Sequence, residues 1–269
     1  MQHTKRQALF ISHGGGPMPL LGDPGHQQLV DTLQQVATTL PKPSAILLVS
    51  AHWEEPIATV GSSPTPGLLY DYNGFPAEAY QIQYPAPGEP ALATQVVNCL
   101  HQAGLPAQEN ATRDFDHGMF VPLKLMYPQA DIPCVQLSLL SSLDASAHLK
   151  LGKALQKLQY PGLLVIGSGF SFHNLRAFLS PPTAETNARN QAFDAWLTDT
   201  CSNTNLTTAE RELRLQNWAE APAARFCHPR EEHLLPLHVC AAYAGNASQT
   251  HYAVKVMNKE SGMFYWVTA

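Results

Sequence analysis

The sequence predicts an α/β fold: one domain over residues 1–269 with a central, mostly parallel sheet flanked by helices and a site at the C-terminal ends of the strands. Three observations lead there. The runs Ser44–Ser50 and Leu163–Ser168 are continuously apolar rather than alternating, as in strands buried on both faces. Such runs alternate along the chain with stretches of helical periodicity. No linker, repeat or low-complexity tract divides the 269 residues, a length ample for one large core.

The elements follow in order. Gln7–Ser12 is a strand ending in His13-Gly14-Gly15-Gly16. Asp23-Pro24 opens a helix with Leu29, Leu33, Val36 and Leu40 on one face, Asp as cap and Pro in the first turn, and Pro41–Pro43 ends it. Ser44–Ser50 is a strand leading into Ala51-His52-Trp53. Residues 56–88, rich in Pro, Gly and Tyr, hold at most short strands. Glu89–Ala103 is a helix stopped by Gly104, Ile132–Leu139 a strand, and Asp144–Leu158 a helix with Leu151, Leu155 and Leu158 aligned. Leu163–Ser168 is a strand after the turn Pro161-Gly162. Ala184–Thr200 and Thr208–Ala219 are helices, the second with a capping box at Thr207 and Glu210. Pro229–Ala244 reads as a helix opened by its Pro, and Tyr252–Met257 with Met263–Val267 as a terminal hairpin.

Composition removes several function classes. With 14% charged and 45% apolar residues the chain has the means to fold. A net charge of −5 and the lack of a long Lys/Arg cluster speak against nucleic acid as partner. No apolar run approaches the roughly 18–20 residues of a membrane span. After Lys5 and Arg6 only Ala8–Ile11 is apolar, short of a signal-peptide core of about 7–15 residues. Five cysteines without a C-x-x-C pair argue against a disulfide framework and a cysteine zinc site. The expectation is a reduced, cytoplasmic protein. Histidine stands out: 12 residues against 16 Lys and Arg together. It is the side chain most used for metal ligation and for proton transfer near neutral pH.

Three apolar strands lead to a histidine. His13 and His52 close two of them, and His173 follows Leu163–Ser168 after the loop 169–172. Ligands of open α/β sheets bind beyond the carboxyl ends of strands, so these histidines should converge. His117, in a loop with Asp116 to orient it and Gly118 to allow close backbone approach, is a further candidate. So is His233, read as lying in the first turn of the last helix, with His228 able to line the same site. Glu231 and Glu232 suit either a carboxylate ligand or, the preferred reading, the positive end of that helix. His3, His26, His101, His148 and His251 are assigned to the surface and His238 to packing.

Two hydrolase signals are weak. His13–Gly16 matches an HGGG oxyanion motif, but Gly169-Phe170-Ser171-Phe172-His173 puts His where a nucleophile elbow needs Gly. H-E-x-x-H is absent. A zinc-dependent hydrolase on the same histidines, and a non-catalytic metal-binding protein, remain as alternatives.

Taken together, Ser12–Pro17 (SHGGGP), Ser50–Trp53 (SAHW), Asp116–Gly118 (DHG), Gly167–Leu175 (GSGFSFHNL) and His228–Leu237 (HPREEHLLPL) resemble the LigB-type, class III extradiol ring-cleavage dioxygenases, nearest the DOPA 4,5-dioxygenase-like branch. The resemblance implies a dioxygenase that opens a catechol-type, DOPA-like ring with O2. It implies one divalent metal on His13, His52 and His233, with His173 as acid–base residue and candidate fourth ligand, and His117 bonding substrate or the O2-derived group. The third ligand in the protocatechuate 4,5-dioxygenase pattern is a carboxylate; here it is His233, as in the DOPA branch. Oxygen chemistry calls for Fe(II), while three neutral imidazoles also suit Zn(II). Trp53, Tyr72, Phe75 and Tyr80 are candidates to wall the pocket.

Overall fold

In the computed structural model, which describes residues 5–268, the central strands send successive side chains to two opposite apolar layers. The chain runs β1 (Gln7–Ser12), α1 (Gln27–Thr39), β2 (Ala45–Glu55), β3 (Ala58–Gly61), α2 (Pro90–Gln102), β4 (Ala107–Asn110), α3 (His117–Met126) and β5 (Cys134–Leu140). It continues through α4 (Ala145–Leu155), β6 (Leu163–Gly169), α5 (Leu175–Phe178), α6 (Ala184–Ser202), α7 (Thr208–Gln216), α8 (Ala224–Cys227) and α9 (Leu235–Ala244). Four short strands follow: β7 (Thr250–Tyr252), β8 (Lys255–Val256), β9 (Lys259–Glu260) and β10 (Met263–Val267).

The main sheet has the order β4-β3-β5-β2-β6-β1-β10-β7. Its centre, β5-β2-β6-β1, is parallel, so the C-terminal ends of these four strands share one edge. β10 pairs antiparallel to β1 and β7 antiparallel to β10. Ala8 and Phe10, Leu47 and Val49, and Val165 face the layer built with α2, α4 and α9. Leu9 and Ile11, Ile46 and Leu48, and Ile166 face the layer built with α1 and α3. This two-sided burial is why the strands read as continuous apolar runs. The fold is a single α/β domain, as expected.

Local chemistry moves several boundaries. Pro24–His26 is a 3-10 turn, and α1 starts only at Gln27. Asp23 makes no cap; its carboxylate accepts from His26 Nδ1 at 2.6 Å, while His26 Nε2 accepts from the Gly15 amide at 2.9 Å. His26 is therefore fully buried, not a surface residue, and it pins the glycine loop after β1. His148 is likewise buried, its Nε2 accepting from the Leu140 amide at 3.1 Å. Of the other histidines assigned to the surface, His101 is exposed, His251 is half-buried against Phe264, and His3 lies outside the described residues. His117 is the first residue of α3 rather than part of a loop. The last long helix begins at Leu235, not Pro229, because Pro236, which lacks an amide hydrogen, occupies its first turn. The expected strand Tyr252–Met257 is broken: β7 pairs with β10, while β8 and β9 form a separate hairpin turning at Met257 and Asn258, both at positive φ. All five cysteines are buried and unpaired. No helix among the described residues is long and apolar enough to cross a membrane.

Close backbone contact at β6 sets the position of residues 228–240. A Cβ on Gly169 would meet the His233 carbonyl oxygen at 2.1 Å, and one on Gly167 would meet the Pro236 carbonyl oxygen at 2.5 Å. The Phe170 amide donates to that His233 oxygen at 2.8 Å. Glycine at these two strand positions is what lets the His233 segment lie directly on the sheet.

Candidate functional site

The parallel topology brings five histidines to one edge of the sheet. His13 follows β1, and His173 follows β6 in a loop whose amide donates to the Cys227 carbonyl at 2.9 Å. β2 does not stop at Ser50 but runs to Glu55, with its pairing to β5 shifted between Val49 and Glu54. His52 sits in that irregular stretch, where a bulge redirects a side chain that regular alternation would place otherwise. His117 arrives from the start of α3 and His233 from the turn before α9. A Cβ on Gly118 would lie 2.9 Å from Ser50 Oγ and 3.0 Å from His52 Cδ2, so the glycine admits His52 beside α3.

His13, His52 and His233 each offer one ligand atom, all within 4.8 Å of one another. His13 Nε2 and His52 Nε2 are 3.0 Å apart. Two nitrogens held ~2.1 Å from a common ion and at right angles would be about 3 Å apart, so the pair has the spacing of adjacent ligands.

The outward nitrogens of His13 and His233 are hydrogen-bonded, while that of His52 only faces a carboxylate. His13 Nδ1 lies 3.1 Å from Ser168 Oγ, and Ser168 itself donates to the Gly118 carbonyl, so His13 Nδ1–H is the donor in the first contact. His233 Nδ1 donates to Glu232 Oε1 at 2.8 Å. His52 Nδ1 is 3.8 Å from Asp71 Oδ2. Anchoring the outer nitrogen fixes the tautomer and leaves Nε2 as a neutral donor. Burial, reinforced by the neighbouring imidazoles, pushes His13 and His52 well below the ordinary histidine range and His233 down to about 3. Neutral imidazole is the form a metal requires.

His117 and His173 flank this trio. His117 Nδ1 donates to Asp71 Oδ1 at 2.8 Å, and the His117 amide donates to the same oxygen at 2.9 Å. The ring stands 3.9 Å from that of His52, centroid to centroid. His173 stacks on His233 with centroids 3.3 Å apart and an interplanar angle of 15°, and its Nδ1 is 3.3 Å from Glu232 Oε1. Glu232 thus serves two rings through one oxygen. Burial opposes the charge on Glu232, but the hydrogen bonds from His173 and His233 outweigh it and hold the carboxyl far below the usual range. Asp71 is lowered in the same manner, burial being outweighed by its bonds to His117.

Several assignments are corrected by these contacts. Asp116 does not orient His117: it is fully buried, accepts from Ser50 Oγ at 2.8 Å and from Gln136, and pairs with Arg113 at 3.4 Å. Asp71, from the irregular segment 56–88, takes that role. Glu232 is not a first-turn helix residue, since it precedes α9 and binds two imidazoles; Glu231 pairs with Arg225 at 2.6 Å. His228 is a packing residue with Nε2 2.9 Å from the Ser171 carbonyl oxygen, and it does not reach the cavity. His238 packs as expected, with Nε2 2.8 Å from the Leu215 carbonyl oxygen. A cavity of about 380 Å3 opens over the five histidines, walled by Tyr72, Phe75 and Phe170. Trp53 and Tyr80 take no part in it; Trp53 is buried under the Arg113 guanidinium instead.

The sequence matches the family described as the catalytic LigB subunit of aromatic ring-opening dioxygenase over residues 7–268. The chain belongs to the LigB family. It is similar to the 4,5-DOPA dioxygenase extradiol of Beta vulgaris, 40% identical over 91% of this chain and 89% of that one. It is also similar to dioxygenase tasH of Hapsidospora irregularis, 36% identical over 96% of this chain and 84% of that one. Among solved structures it is similar to an uncharacterized protein of Escherichia coli K12 with a TM-score of 0.74, 30% identity, and coverage of 97% of this chain and 99% of that one. The LigB chain is thus a metal-dependent, aromatic ring-opening dioxygenase, and the zinc-hydrolase alternative is not favoured.

Proposed function

We propose that this LigB chain opens the ring of a catechol-type, DOPA-like substrate with O2 while holding one divalent ion, Fe(II), on His13, His52 and His233. The observation that carries the reading is the convergence of three neutral imidazoles, two of them with a hydrogen-bonded outer nitrogen, beside two further imidazoles backed by carboxylates. The donor set fits a metal by charge, spacing and tautomer, and three protein ligands leave positions for substrate and O2. When bound, Fe(II) supplies the redox link between diol and O2 that zinc, fixed in one oxidation state, does not.

The remaining work falls to the protein. His173 is the acid–base residue; its ring stacks on His233, and it stays a candidate fourth ligand, since its ligand atom lies within 4.8 Å of those of Glu232 and His233. With Nδ1 turned to Glu232, its Nε2 is free to take a proton from a substrate hydroxyl and return it later. His117, its Nδ1–H on Asp71, offers Nε2 to the other hydroxyl or to the oxygen-derived group. Phe170 and Tyr72 confine a flat ring and limit water. Both atoms of O2 enter the product, a ring-opened semialdehyde. The buried, unpaired cysteines support a reducing compartment, the cytoplasm.

The test is anaerobic loading with Fe(II) and a catechol panel, followed by air. O2 uptake with a yellow product is expected. Replacing His173 by Ala should cut ring opening by roughly 10²–10⁴-fold with the metal retained. His13→Ala or His52→Ala should lose the metal, and full occupancy in both by elemental analysis would remove the ligand assignment.

A further inference from the structure

The segment that carries His173 also carries an arginine without a partner. Arg176 lies in α5, three positions after His173, so their Cα atoms are at most about 11 Å apart. It is exposed, and its side chain makes no hydrogen bond or ion pair among the described residues. Every other arginine among the described residues sets its guanidinium on a carboxylate or a backbone carbonyl.

The neighbours of Arg176 face the cavity. Leu175, Phe178 and Leu179 line it, and the two leucines are 61% and 81% exposed at its rim. Arg176 and Leu179, three positions apart, are adjacent on the surface of this turn, which puts the guanidinium within reach of the same rim. The turn is anchored: the Asn174 side chain accepts from the Ala177 amide at 3.0 Å and donates to the Phe226 carbonyl at 2.7 Å. No Lys, Arg, Asp or Glu lines the cavity itself among the described residues. Cations on the neighbouring segments are occupied: Arg230 by Glu54 at 2.6 Å, Lys255 by Glu260 at 3.2 Å, and the buried Lys259 by Asn187 at 3.0 Å. A catechol with its diol at the histidines sends its substituent outward past Phe170 and Phe178 toward this rim.

We infer that Arg176 reads a carboxylate on the substrate's side chain: the favoured substrates are catechols with a short, carboxylate-ended chain, of which DOPA is one. The inference rests on the catechol-opening reading and deepens it by naming the group that selects among catechols. A guanidinium meets a carboxylate with two parallel N–H donors, while the rim leucines cover the methylenes of the chain. The pair is half in water. Its effect therefore lies between the few-fold of an exposed ion pair and the roughly hundredfold of a desolvated one, at about tenfold in Kd.

The experiment compares three ligands on the metal-loaded enzyme: L-DOPA, dopamine, which lacks only the carboxylate, and 3,4-dihydroxyphenylpropionate, which lacks only the amine. Calorimetry under anaerobic conditions gives Kd, and O2 uptake gives kcat/KM. L-DOPA and the propionate are expected to bind about tenfold tighter than dopamine, with the margin shrinking as salt rises. Arg176→Gln should cut that preference to about twofold or less, and Arg176→Glu should turn it toward dopamine; thermal unfolding checks that both variants are folded. Equal Kd values in the parent, or a preference that survives Arg176→Gln, overturns the inference. The expected order of Kd and its loss in Arg176→Gln, without O2 uptake on any of the three, supports the carboxylate site and overturns the ring-opening reading. Failure of all three to bind overturns both.

Discussion

Replacing Glu232 by Gln tests the link between one carboxylate and two imidazoles. Glu232 Oε1 accepts from His233 Nδ1 at 2.8 Å and lies 3.3 Å from His173 Nδ1, while the other oxygen is 3.3 Å from Arg230. Hydrogen bonds to a charged group contribute about 1.5–3 kcal/mol against about 0.5–1.5 for neutral pairs, so loss of the charge costs roughly 1–2 kcal/mol per bond. The amide keeps the shape and one acceptor oxygen, and Arg230 retains both bonds to Glu54, so the fold survives. Through His233 the change should weaken metal binding by about 10–100-fold, as for other groups that orient a ligand. Through His173 it should lower kcat even at saturating metal. Metal affinity is read by competition with a chromogenic chelator and kcat by O2 uptake. If both stay within about twofold of the parent, Glu232 does not govern the two rings.

Asp71→Asn should reduce kcat by roughly tenfold or more at saturating metal, since a neutral amide oxygen accepts more weakly than a carboxylate from His117 Nδ1–H; O2 uptake checks this, and elemental analysis reads any effect on the metal through the nearby His52. Gly169→Ala puts a methyl against the His233 carbonyl oxygen, and should cost about 1–3 kcal/mol in thermal unfolding and also weaken the metal, whereas a surface Gly104→Ala should not move the metal. His228 and His238 are buried and pushed down to about 3 and about 4, so they stay neutral in the native state while the unfolded chain takes up protons below about 6.5. Their contribution is complete above that value and lost as pH falls toward the native ones, so Tm should drop from pH 7 to pH 5; a flat profile by circular dichroism would contradict this.

The sheet was legible because Ser44–Ser50 and Leu163–Ser168 are apolar on both faces, and the strand-end rule then brought His13, His52 and His173 together. What escaped were partners supplied by distant segments. Asp116 is the sequence neighbour of His117, yet Ser50, Arg113 and Gln136 hold it elsewhere, and Asp71 comes in from a loop with no periodic pattern. The signal for Asp71 was thin: one acidic residue between two tyrosines, Tyr70 and Tyr72. Glu232 was misplaced because Pro229 resembles a helix start, while Pro236 is the one used. His26 and His148 look like polar helix positions, and only the fold reveals that Gly15 and Leu140 donate to them.

His13, His52 and His233 span 220 positions of the chain, the difference between 233 and 13. No short stretch of the unfolded polypeptide contains two of them. An ion on these three residues would act on the folded state as a removable cross-link between the ends of β1 and β2 and the turn before the last long helix, a set of ligands that the unfolded chain does not hold together. At a free concentration 1,000 times Kd such an ion adds about 4 kcal/mol to stability. Metal choice is then made after folding, by whichever divalent ion is available to the finished site, so the conditions of expression and the chelators used in purification determine both the thermal resistance and the catalytic competence of a preparation.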